Sequence, residues 1–207
     1  MSLLDKFAAA LAPHECLGCG AEGALLCPAC LAGLPRVSPP LPPGLDGLQA
    51  LTCYDGLAKR LVWKLKSAGA QATAEVMATA MAGLVDRGSR PVVVSVPTAT
   101  LRVRQRGYDQ ARLLGRGLAR QARLPWLDCL ARSGQLHQVG ANREQRKRQL
   151  NSSLRVTQAR FVRGAHILLV DDVVTTGATF EAAAAVLRTA GAARVKTIAF
   201  AWTPSKS

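Results

Sequence analysis

Aromatic residues are scarce in this chain of 207 residues: three Trp, two Tyr and four Phe, 4% of the total. So few flat rings leave few platforms for stacking exposed bases, which weakens any reading as a direct reader of single strands. Long apolar runs are missing too. The longest stretch without a charged residue, Gly23–Pro35, has 13 residues, against the ~20 needed to cross a bilayer. No membrane insertion is expected. An export signal is not expected either, because Asp5 and Lys6 precede only a short apolar run, Phe7–Ala12. A secretory signal wants a basic start and an apolar core of about 7–15 residues, so an amphipathic helical turn fits better. A cytoplasmic, reducing setting is therefore expected, in which six cysteines do not form a disulfide framework. Negative charge is short as well: 13 Asp and Glu face 27 Lys and Arg, for a net +14. No internal repeat is visible.

What remains is enough for a folded protein. Hydrophobic residues make up 49% of the chain, ample for a buried core and unlike a disordered segment. The length suits one medium domain, or one domain with a small module.

The positive charge is concentrated. Between Arg102 and Arg163 stand fourteen Arg and one Lys, opposed only by Asp109, Asp128 and Glu144. Arginine exceeds lysine twenty to seven overall. Guanidinium forks suit bidentate contact with phosphate oxygens, so a polyphosphate ligand or nucleic acid is expected. A one-signed cluster costs stability by self-repulsion, which argues against idle surface decoration.

Three parts can be read along the chain. Residues 1–37 hold an N-terminal four-cysteine module, 38–49 a Pro-rich linker with Pro39, Pro40, Pro42 and Pro43, and 50–207 a larger α/β domain. In the last part Asp55–Lys66, Ala72–Asp86, Tyr108–Arg123 and Ala178–Ala190 have helical character. Pro91–Pro97, Ile167–Val170 and Val195–Phe200 read as short buried strands. Polar, non-periodic residues 134–152 predict a long mobile loop. Alternating strands and helices imply a parallel sheet covered on both faces.

Cys16-x-x-Cys19 and Cys27-x-x-Cys30 form two close pairs. Each pair makes a knuckle whose thiolates can point at one ion, and two knuckles complete a tetrahedral structural zinc site. Gly18, Gly20 and Gly23 supply backbone freedom for such turns. His14 lies nearby, but four thiolates already saturate the site. Cys53 and Cys129 lack paired spacing and read as buried apolar residues.

The most informative segment is ILLVDDVVTTGAT, Ile167–Thr179. An apolar strand ends at Asp171 and Asp172, then comes a threonine-rich turn before an alanine-rich helix. Ligands of open parallel sheets bind beyond the carboxyl ends of the strands. There Thr175, Thr176, Gly177, Ala178 and Thr179 would offer backbone N–H groups and hydroxyls to an anion. Carboxylates beside a phosphate repel it, so they suit sugar hydroxyls, a metal ion or developing positive charge. A sugar phosphate meets both demands.

This segment closely resembles the 5-phosphoribosyl-1-pyrophosphate (PRPP) motif of type I phosphoribosyltransferases. The four cysteines, Lys66 in KLKSAG, the Val92–Pro97 strand, Arg106-Gly107-Tyr108-Asp109-Gln110, and Gln138 with Arg146 resemble the ComF/GntX branch, which is linked to competence and DNA uptake. Asp109 and Gln149 stand where that family commonly has Asn. The resemblance implies a type I phosphoribosyltransferase-like sheet, Mg²⁺ with PRPP as substrate, and transfer of phosphoribosyl to an unidentified acceptor. It also implies that Thr98, Ala99 and Thr100 form the pyrophosphate loop, with Arg102, Arg104 and Arg106 neutralising the leaving group and Lys66 beside them. Asp171 and Asp172 would orient the ribose hydroxyls, and the 134–152 loop would close over the site. No residue stands out as an acceptor-activating base; His137 and His166 read as ordinary surface or strand-edge histidines. The other reading is a non-catalytic PRPP or nucleotide sensor that grips single-stranded DNA, with a helicase-like protein as a candidate partner for the zinc module. Fifteen basic side chains exceed what one pyrophosphate can use, which keeps a DNA role in play.

Overall fold

The computed structural model describes residues 15–67, 69–132 and 153–204. The expected loop over 134–152, with Gln138, Arg146 and Gln149, lies outside them, as do His14, His137 and the N-terminal turn.

Four strands make a parallel sheet: β1 (Leu48–Cys53), β2 (Val92–Ser95), β5 (His166–Val174) and β6 (Arg194–Trp202), in the order β1-β6-β5-β2. Two helices, α2 (Gly56–Leu65) and α3 (Ala70–Met81), lie between β1 and β2, and α7 (Ala178–Thr189) links β5 to β6. After β2 come α4 (Thr100–Arg106) and α5 (Gln110–Ala122). A separate antiparallel pair, β3 (Leu130–Arg132) with β4 (Leu154–Val156), precedes the single turn α6 (Ala159–Val162).

Side chains alternate across a strand, and β5 uses this to build two cores. Leu168 and Val170 join Leu61, Leu65, Met77, Met81, Leu114 and Leu118 of α2, α3 and α5 on one face. Ile167 and Leu169 join Phe180 and Leu187 of α7 and Leu130 and Leu154 of the hairpin on the other. The parallel sheet covered on both faces, expected from sequence, is what forms. The alternation slips at the aspartates: Val173 packs with the first core and Val174 with the second, the reverse of a straight count. Here Asp171 Oδ1 accepts from Asp172 N at 2.8 Å and Asp172 Oδ1 from Val173 N at 2.9 Å, so side chains take up N–H groups of the strand.

Several boundaries differ from expectation. β5 does not end before the aspartates; pairing of Asp171 with Ala199 and of Val173 with Ala201 carries it to Val174. The helix expected from Tyr108 starts at Gln110, because Asp109 caps it by accepting from Ala111 N and Arg112 N. That expected over Ala72–Asp86 ends its α part at Met81 and finishes as a 3₁₀ turn, Ala82–Leu84. β1 opens at Leu48, inside the stretch expected as linker, and α4 had no sequence reading. Leu26 and Leu34 of the cysteine segment are buried in the same core as α2, and Arg60 Nε donates to Leu17 O at 2.8 Å. Of the two unpaired cysteines, Cys129 is fully buried and Cys53 half-buried. His166 is exposed at the start of β5. Among the described residues no helix is long and apolar enough to cross a membrane.

Candidate functional site

The carboxyl ends of β5 and β2 open onto a cavity of about 390 Å³. Asp171, Asp172 and Val173 form its floor, Thr175 and Thr179 one wall, and Val96–Ala99 with Leu101 and Arg102 the other. Lys66, Gln110 and Arg132 complete the lining. The two expected loops, far apart in sequence, thus face each other across the two carboxylates.

The floor is electrostatically tense. Asp172 is only 5% exposed and pairs with Lys66 Nζ at 2.5 Å. Burial, then the neighbouring charge of Asp172, hold the Asp171 carboxyl well above its usual range. A cationic centre or hydroxyl donors in the cavity would favour its ionised form.

The RGYDQ stretch organises this cavity more than it lines it. The Asp109 carboxylate accepts from Thr98 N at 3.1 Å and Thr98 Oγ1 at 2.9 Å while capping α5. A negative charge at this position is therefore fully engaged in holding the Thr98 loop. The Tyr108 hydroxyl sits 3.0 Å and 2.9 Å from the carbonyls of Leu65 and Ser67, on either side of Lys66. Arg106 Nη1 donates to Gln110 Oε1 at 3.0 Å.

Of the three arginines expected at the leaving group, Arg102 alone lines this cavity. Arg104 is exposed, and Arg106 lines a neighbouring one. Thr100 turns its hydroxyl toward Arg132 O at 3.3 Å, and Thr176, Gly177 and Ala178 are not part of the lining. Arg132 was not foreseen. It extends from β3 into the cavity, its Nε is buried without a hydrogen-bond partner, and burial and nearby Arg102 pull its guanidinium pKa down. Guanidiniums that repel one another are stabilised by an anion between them. Only the fold reveals this pairing, since Arg132 ends a three-residue strand with no motif of its own.

Gly177 precedes α7 in the left-handed region, at φ 80°. A Cβ there would lie 2.4 Å from Pro42 Cγ, so the Pro-rich segment straps the threonine turn. Gly177→Ala is expected to lower stability by about 2–4 kcal/mol through backbone strain and overpacking. Thermal unfolding checks this, and adding Pro42→Gly should restore the steric share but not the backbone share.

A second cluster lies apart from this cavity. The Sγ atoms of Cys16, Cys19, Cys27 and Cys30 all lie within 4.8 Å of one another, and Cys19 and Cys27 are 3.8 Å apart. A Zn–S bond of about 2.3 Å sets tetrahedron edges near 3.8 Å, so the four sulfurs could hold such an ion. Cys27 N and Gly18 N donate to Cys16 Sγ, each at 3.4 Å. Backbone N–H groups, that of Cys27 first, then those of Cys19 and Gly18, bring the Cys16 thiol down to about 6. Cys27 caps α1 (Pro28–Ala32), and a Cβ on Gly18 would fall 2.5 Å from Cys30 Sγ. Gly20 and Gly23 take positive φ, 77° and 105°.

Residues 68–207 match the phosphoribosyl transferase domain family. The chain belongs to that family. It is 33% identical over 193 residues to the DNA utilization protein YhgH of Salmonella typhimurium, covering 83% of this chain and 81% of that protein. It is 37% identical over 111 residues to the YhgH protein of Escherichia coli K12, covering 50% and 46%. These relatives agree with the ComF-type branch of phosphoribosyl transferases read from sequence. Among solved structures, the glutamine PRPP amidotransferase of B. subtilis, complexed with ADP and GMP, aligns at TM-score 0.43 and 21% identity over 60% of this chain. The chain spans only 26% of that amidotransferase.

Proposed function

We propose that this protein binds PRPP and transfers its phosphoribosyl group to a nitrogen acceptor, as a cytoplasmic enzyme of DNA utilization. The observation that carries this reading is one cavity with Asp171 and Asp172 between the Thr175–Thr179 turn and the Thr98–Arg102 loop. The turn of residues 175–179 would hold the 5′-phosphate, using hydroxyls and backbone N–H groups at the N-terminus of α7. Arg102 and Arg132 would take the pyrophosphate. Asp171 and Asp172 would orient the ribose 2′- and 3′-hydroxyls.

The C1′–oxygen bond to pyrophosphate would break with its electron pair leaving on oxygen, and the acceptor nitrogen would form the new bond to C1′ as its proton passes to solvent or to the departing pyrophosphate. Positive charge develops on the ring in such transfers, and buried carboxylates stabilise it. Two carboxylates beside polyphosphate oxygens suit Mg²⁺, which prefers few protein ligands plus substrate phosphates. Asp171 and Asp172 would share that ion with the substrate, and it would neutralise pyrophosphate charge. The cysteine cluster would hold a structural zinc, since four thiolates leave no open position.

A PRPP sensor without turnover is the second reading, since among the described residues the cavity lining holds no histidine that could act as a base. Calorimetry with PRPP and Mg²⁺, followed by a pyrophosphate-release assay with a cytosolic metabolite pool, separates the two. Binding with turnover supports the transferase, and binding without turnover supports the sensor. No PRPP binding by the wild-type protein defeats both.

A further inference from the structure

Three exposed arginines of α5 have partners on neighbouring elements. Arg112 pairs with Asp128 at 3.0 Å, Arg120 pairs with Glu75, and Arg116 lies 4.4 Å from the centroid of the Trp126 ring. The outer face of α5 therefore does not join its charge to an exposed aromatic ring among the described residues.

A different surface does. The outward side of α2 carries Lys59, Arg60, Trp63 and Lys64. Residues three and four apart on a helix are neighbours, so Lys59 and Arg60 lie beside the tryptophan, and Lys64 lies one turn on from Arg60. Trp63 is 71% exposed, more than any other large apolar side chain among the described residues. The Lys64 stem passes 3.7 Å from where a Cβ on Gly69 would stand. Gly69 in turn borders a second cavity of about 630 Å³, walled by Lys66, Gln71, Gln105, Arg106 and Tyr108. Among the described residues no carboxylate lines that cavity.

We propose that the α2 face and this cavity form one binding track for single-stranded nucleic acid. A base stacks on Trp63, and the phosphates on either side meet Lys59, Arg60 and Lys64. The chain then continues past Lys64 toward Arg106, where the glutamine amides meet sugar or phosphate oxygens. An aromatic platform flanked by cations and leading into an acid-free groove is what a sequence-tolerant strand needs. A bilayer would ask for a broad apolar face, and Trp63 has no apolar neighbour exposed beside it on α2. This track stands independently of the transferase reading.

The test is fluorescence anisotropy of a labelled twenty-residue oligothymidylate with the full-length protein across a salt series. Trp63→Ala is expected to weaken binding roughly five- to hundredfold, as loss of one stacked base does. Trp63→Phe, which keeps a ring, should stay within a few-fold of wild type. Lys59→Ser/Lys64→Ser should reduce the salt slope by about 1.4, two phosphates at ~0.7 each. Arg60 is left intact because it holds Leu17 O. Matched thermal midpoints and unaltered PRPP binding in these surface variants would assign the loss to the track. Wild-type affinity and slope in both Trp63→Ala and the lysine double variant overturn the proposal, as does a wild-type protein that binds no oligonucleotide.

Discussion

Asp171→Asn is expected to lower pyrophosphate release on the order of 10²-fold or more while raising the thermal midpoint of the ligand-free protein at pH 7. Both effects have one origin. Burial and the adjacent Asp172 charge raise the Asp171 carboxyl well above its usual range, so the folded state prefers the neutral acid. Where a folded-state pKa exceeds the unfolded one, the native protein binds more protons between the two values. The stability that this contributes is complete below the unfolded pKa, about 3.9. It is lost as pH rises through the folded pKa. Asparagine keeps the shape without the charge, so the stability profile of the variant should be flatter over that window.

Catalytic cost follows from the same substitution, because an amide cannot stabilise positive charge on the ribose ring. PRPP with Mg²⁺ should therefore raise the midpoint of the wild-type protein more than that of the variant. Calorimetric unfolding from pH 4 to 8, with and without ligand, measures all of this. A variant with the wild-type pH slope and the wild-type ligand shift would remove Asp171 from the proposed role.

The second large effect concerns the cysteine cluster. Cys19→Ser/Cys27→Ser is expected to abolish stoichiometric zinc and lower the thermal midpoint by roughly 10 °C or more. Zinc binding to such a short segment is folding free energy. Without the ion the segment no longer holds Leu26 and Leu34 in the core beside α2. Two buried leucines are worth about 3–6 kcal/mol together, and each kcal/mol moves the midpoint by about 2–4 °C at this size. Atomic absorption reads the metal, and unfolding by circular dichroism reads the stability. A double variant that keeps its zinc and its midpoint would show that the four sulfurs carry no structural ion.

The RGYDQ stretch shows where sequence reasoning stopped short. Its arginine looked like a ligand for the leaving group. In the fold its residues also act on neighbours: Tyr108 on the carbonyls beside Lys66, Asp109 on Thr98, Arg106 on Gln110. These contacts join positions up to 43 residues apart, and no local pattern encodes them. The arginines of α5 teach the same lesson, since Arg112, Arg116 and Arg120 looked free until Asp128, Trp126 and Glu75 came beside them.

The sequence by itself determined the alternating strands and helices, the threonine turn after the acidic pair, and the paired cysteines. Each of these is written within a few consecutive residues, through period-2 and period-3.6 burial or through knuckle spacing. Tertiary structure decided the rest: that Arg132 rather than Arg104 stands with Arg102, that Lys66 holds Asp172, that Pro42 straps Gly177, and that Trp63 stays in water. Those are pairings of distant segments, and a side chain's partner is set by which surfaces the sheet order β1-β6-β5-β2 brings together. The few aromatic residues acquire their meaning in the same way. One of three tryptophans is left exposed among cations, and only the packing of α2 on the sheet determines which one.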